Sequence, residues 1–142
     1  MNARRWWAGS LLAAALVAGG AGLARAQTVV ARIGGQLVAQ PGQTIDVPVT
    51  VDLSGYPGVR LGSYRGEIRF DPSALLFNGT VLSGTFAAPL VNQDSSSYGV
   101  VRFTAILPAG APGPVVTLFI ARFDVQYPGT TSTALTLSFD EM

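Results

Sequence analysis

The chain has 142 residues, nine basic and eight acidic, with no cysteine, no histidine and no lysine. That composition excludes disulfide stapling, zinc sites built on Cys and His, and mechanisms that need a histidine base, so stability must come from a buried core. The charge is uneven. Beyond residue 26 six arginines stand against all eight acids, a net −2 that argues against nucleic acid or an anionic membrane as partner.

Arg4 and Arg5 precede an apolar Ala/Leu/Gly-rich run from Trp6 to about Leu23. Ala24-Arg25-Ala26 follows, with small residues at the two positions that a cleavage site requires. This is the layout of a secretory signal peptide over residues 1–26. The run is rich in Ala and Gly rather than Leu, so it inserts weakly as a membrane anchor. Export and cleavage are expected, leaving one domain over residues 27–142 that is secreted or held at the cell surface or in the periplasm, with no membrane span.

Past residue 27, short Val/Ile/Thr/Phe/Tyr runs alternate with Gly/Pro/Asn/Asp/Ser clusters, and no helical period lasts three turns. The pattern predicts an all-β fold, an antiparallel sandwich. The first strand covers 29–33, and Gln40-Pro41-Gly42-Gln43 turns the chain. In 45–53, Ile45, Val47, Val49 and Val51 share one face. Pro48 has no N–H to give, which puts this strand at an edge or at a bulge. Over 61–70, Tyr64, Gly66, Ile68 and Phe70 point inward while Ser63, Arg65, Glu67 and Arg69 point outward. Asp71-Pro72-Ser73-Ala74-Leu75 reads as one helical turn that drops Leu75 into the core. A short strand over 76–82 is broken at Asn78-Gly79, a turn-prone pair. With Thr80 that pair also forms a glycosylation triplet, for which the turn is the preferred meaning.

Residues 83–97 read as loop, with a short strand near Leu90. The strand over 98–106 turns Val101 and Phe103 inward, Arg102 and Thr104 outward. Residues 107–114, Leu-Pro-Ala-Gly-Ala-Pro-Gly-Pro, read as an exposed loop. A long strand over 115–127 turns Phe119, Ala121, Phe123 and Val125 inward. Pro128-Gly129-Thr130 is a turn, and 133–139 the last strand. The sequence stops without a cap or polar tail, so the natural domain is expected to continue by at least one closing strand, and the unpaired edge to invite association.

No Ser/His/Asp or Cys/His arrangement can be assembled. Two carboxylates could in principle hydrolyse a glycoside, and Glu67 and Asp71 are close in sequence. Arg65 and Arg69 flank Glu67 on its own face and favour its ionised form, the wrong direction for a general acid. Asp71 has a capping role. The chain is therefore read as non-catalytic, without cofactor or metal. The outward stripe is either a solvated face with cross-strand ion pairs or a protein-binding face, which Tyr98 and Arg102 would enlarge. For stacking on sugars only Tyr56, Tyr98 and Tyr127 remain, all near loops.

The segment Pro41-Gly42-Gln43-Thr44-Ile45-Asp46-Val47-Pro48-Val49 resembles the GDTVTVPV strand of cohesin domains. The stretch from Gly62 to Phe70, continued by Asp71-Pro72-Ser73-Ala74-Leu75, resembles their F-x-x-x-Y-D-P-x-x-L strand and turn. Residues 100–106 and 115–125 are similar to the later core strands, and Phe139-Asp140-Glu141 to a stretch shortly before the final strand. The resemblance implies a jelly-roll sandwich of eight to nine strands, the last missing here. It also implies a dockerin-type protein partner in extracellular, polysaccharide-related assemblies. It puts partner-facing residues on the strand with Ser63 and Arg65, near Tyr98, and in the 107–114 loop. The candidate partner-binding set is thus Ser63, Arg65, Glu67, Arg69, Tyr98 and Arg102. Cohesins of the best-known type carry Asn and Asp where this chain has Ser63 and Arg65, which would deprive a dockerin of that type of its hydrogen-bond acceptor. A carbohydrate-binding module with polysaccharide as ligand, and a structural or adhesion spacer without ligand, are the alternatives.

Overall fold

The computed structural model describes residues 29–34, 38–83, 86–126 and 132–142. The expected signal peptide, Tyr127 and the turn at 128–130 lie outside the described residues. Eight strands follow in chain order: β1 (Val30–Ile33), β2 (Thr44–Asp52), β3 (Leu61–Arg69), β4 (Leu75–Val81), β5 (Leu90–Asn92), β6 (Val100–Ala111), β7 (Val115–Val125) and β8 (Thr136–Glu141). They form two four-stranded sheets, β1-β2-β7-β4 and β5-β6-β3-β8, with every pairing antiparallel. The chain crosses repeatedly from one sheet to the other, as in a jelly roll.

Alternation along the strands builds the core. Val47, Val49 and Val51 of β2 and Phe119, Ala121 and Phe123 of β7 meet Tyr64 and Ile68 of β3 and Val101 and Phe103 of β6, all fully buried. The two layers lock through aromatic edges: Phe103 and Phe119 have ring centroids 4.9 Å apart, inclined at 63°. Gly66 sits between Tyr64 and Ile68 on this inner face. A Cβ there would strike the Ser138 carbonyl and come within 3.0 Å of the Phe103 ring, so the glycine permits the close approach of β8.

Three readings of the sequence need correction. Pro48 is neither at an edge nor at the bulge itself. β2 lies between β1 and β7, and the register shift falls one step on, between Val49 and Thr50. The Pro48 carbonyl accepts from the Gly34 N–H at 2.8 Å, just past Ile33, where β1 ends. The nitrogen of the same residue faces the same side, so its missing donor falls where no ladder requires it. On β7 the shift leaves Leu118 unpaired beside Phe119, and both are buried. Secondly, Asn78-Gly79 does not break β4. Gly79 takes φ 108° in a bulge between Phe77 and Thr80, and pairing to β7 continues on both sides. Thirdly, β6 does not stop at Ile106. Ile106 pairs with Ser63 and Ala111 with Leu61, so four residues bulge out while the strand carries on. Arg60 holds that bulge: its Nε donates to the Ala109 carbonyl at 2.9 Å and its Nη2 to the Gly110 carbonyl at 2.9 Å.

The Asp71 turn forms as expected. The Asp71 carbonyl accepts from the N–H groups of Ala74 at 3.1 Å and Leu75 at 2.9 Å, and both residues are buried.

Candidate functional site

Five of the six candidate residues come together on the outer face of β5-β6-β3-β8. Antiparallel register sets them in rows. Leu90 of β5, Thr104 of β6, Arg65 of β3 and Glu141 of β8 form one row. Asn92, Arg102, Glu67 and Ser138 form the next, and Val100, Arg69 and Thr136 follow. Ser63 pairs with Ile106 at the far end. Tyr98 is the exception. It lies in a short 3₁₀ turn, Ser96–Tyr98, at the Arg69 end of β3, and its side chain is exposed.

Glu67 is the electrostatic centre. Its side chain is only 14% exposed, and it is clamped by Arg69, whose Nε donates at 2.6 Å, and Arg102, whose Nε lies 3.5 Å from the other carboxylate oxygen. Those arginines remain about 60% exposed, so the clamp holds their stems and leaves N–H donors to solvent. Arg65 makes no ion pair among the described residues. Leu90 is 76% and Ile106 71% exposed on the same face. Neither was identified from the sequence, because their place depends on which strands are neighbours. A shallow depression of about 480 Å³ runs between β5 and β3, lined by Leu90, Asn92, Arg102, Thr104, Arg65 and Asp140, among others.

Asp71 does not join Glu67. It faces its own turn, where the Ser73 hydroxyl and N–H donate to Oδ1 at 2.6 and 2.9 Å. These bonds, the hydroxyl first, hold its carboxyl below the ordinary carboxylate range, away from a general acid's needs. Tyr56 and Tyr98, the two of these tyrosines among the described residues, do not form a sugar-stacking row. Tyr56 lies in the loop before β3 with a buried hydroxyl, and Tyr98 lies beyond the other end. The length of β3 separates them, about 26 Å at about 3.3 Å per residue.

No family model and no curated protein matches the sequence. Solved structures do match. The chain is similar to a cohesin of Clostridium acetobutylicum determined in solution, at TM-score 0.64 and 22% identity over 79% of this chain and 75% of that one. It is similar to the OlpA cohesin of Clostridium thermocellum, solved in a type I cohesin–dockerin complex, at TM-score 0.63 and 16% identity over 80% and 83%. A non-cellulosomal cohesin from the archaeon Archaeoglobus fulgidus gives TM-score 0.58 and 22% identity over 76% and 73%. The fold is the cohesin jelly-roll sandwich.

Proposed function

We propose that this chain is an exported, non-catalytic, cohesin-like module that binds a protein partner through the outer face of β5-β6-β3-β8. The observation that carries the reading is the composition of that face. Exposed Leu90 and Ile106 stand among arginines on a broad, shallow surface, an arrangement that suits another protein better than a small molecule. The cohesin fold supports the same reading, as does a structural neighbour solved together with a dockerin. The leader pattern of residues 1–26 supports an extracellular setting, in which a dockerin-type partner belongs.

The test is direct. Each dockerin-like sequence encoded in the same genome is titrated against the chain by calorimetry. Binding that Leu90→Asp weakens at least tenfold supports the reading (about 1.4 kcal/mol). Failure of every dockerin, together with retention on cellulose or xylan, would replace it with a carbohydrate-binding module.

A further inference from the structure

We infer that Asn78 is a site of spontaneous covalent modification: the main-chain nitrogen of Gly79 displaces the Asn78 carboxamide nitrogen, and the aspartate or isoaspartate that results unties β4 from β7 on the outer face of β1-β2-β7-β4. This goes beyond the binding reading above and does not depend on it.

The residue after an asparagine governs this reaction. A Cβ there crowds the attacking nitrogen and restricts the rotation that brings it to Cγ; glycine removes both obstacles. Gly79 follows Asn78, takes φ 108°, and has open space where a Cβ would stand. The fold holds the pair loosely. β4 is an edge strand, and Asn78 and Gly79 together face the one β7 residue, Arg122, between the pairings Phe77–Phe123 and Thr80–Ala121. A bulge on an edge strand opens locally at less cost than the whole fold. Asn78 is exposed, so water reaches it.

The atoms balance with water alone. The Gly79 nitrogen bonds to Asn78 Cγ and gives up its proton, the Cγ–Nδ2 bond breaks, and ammonia leaves. Water then opens the cyclic imide at either carbonyl. One opening gives aspartate; the other gives isoaspartate, whose main chain runs through Cβ. The bond that is lost is a tie between strands. The Asn78 amide donates to Asp124 Oδ2 at 2.9 Å, while the Thr44 hydroxyl donates to Oδ1 at 2.6 Å. After the reaction a carboxylate replaces that amide donor, and two like charges meet across β4 and β7. Arg122 is already engaged by Asp46 through two bonds.

The test uses the full chain, aged for days at mildly alkaline pH and then digested with trypsin. Arg69 and Arg102 bound one peptide that carries both Asn78 and Asn92, so mass spectrometry reads the two sites together. Asn92 is also exposed, but Gln93 follows it, and its Oδ1 accepts from the Asp94 N–H at 2.9 Å. Asn78 should convert at least about fivefold faster than Asn92. It should yield isoaspartate as well as aspartate, and faster as pH rises. The aged chain should melt at a lower temperature, as should Asn78→Asp made directly, whereas Asn78→Gln should keep its melting temperature on ageing. Equal rates at the two asparagines would overturn the inference. Conversion confined to the urea-unfolded chain would overturn it too, since the bulge would then shield the site. An unchanged melting temperature in Asn78→Asp would overturn the loss of the tie.

Discussion

The two sheets turn similar inner faces to one core but very different outer faces to solvent. On β1-β2-β7-β4 the polar groups at the centre of the outer face answer each other, while Arg32 makes no ion pair among the described residues and Leu76 and Val115 are half exposed. Arg122 grips Asp46 with two bonds of 2.7 and 2.8 Å, and Asp124 accepts from the Thr44 hydroxyl at 2.6 Å and the Asn78 amide at 2.9 Å. On β5-β6-β3-β8 one carboxylate serves two arginines, a third arginine is unpaired among the described residues, and Leu90 and Ile106 stand bare. The paired centre of the first face has little to gain from a partner. A face with spare donors and bare apolar side chains gains from being covered.

The sharpest way to break the comparison is through what the sheets share. Phe119→Ala opens the core where Phe103 packs at 4.9 Å, and should cost about 3–5 kcal/mol, read from urea unfolding. Both faces should fail together. Next, Arg60→Ala frees the carbonyls of Ala109 and Gly110. A loss of about 1–2 kcal/mol is expected, with amide exchange quickened in 107–111 and unchanged in β7. A third substitution separates the faces. Arg102→Ala should weaken partner binding several-fold in calorimetry yet move stability by no more than about 0.5 kcal/mol, since its contact with Glu67 is long, its own side chain is mostly exposed and Arg69 still pairs with Glu67. Arg122→Ala on the other face should leave binding untouched.

The smallest effect is one of pH. The Arg122 hydrogen bond holds the Asp46 carboxyl below its ordinary value, and the Ser73 and Ser54 bonds do the same for Asp71 and Asp52. A carboxyl whose folded pKa is depressed stabilises the fold above its unfolded pKa, about 3.9, and loses that contribution as pH falls through the folded value. Melting temperature should therefore be flat from neutral pH down to about 4 and drop below it. Asp46→Asn should make the drop shallower.

Period-two alternation made β3 and β7 legible, since each is half-buried and reports its inner face in every second residue. The stripe of Ser63, Arg65, Glu67 and Arg69 was legible for the same reason. The extension of β6 was not. Proline and glycine at 108, 110, 112 and 113 read as breakers, and the group that keeps the strand in place, Arg60, comes from 50 residues away. Leu90 and Ile106 escaped because outward apolar residues on separate strands become neighbours only through pairing with β6 and β3. Local pattern gives faces; register alone gives the composition of a site.

The β6 bulge has a consequence for engineering. Arg60 fastens it by main-chain oxygens, and Pro108 and Ala109 are exposed to solvent. Gly110, at φ 66° and pressed against the Arg60 stem, must stay. The two exposed positions form a small cassette beside the proposed partner face, where foreign side chains can be grafted without disturbing the scaffold.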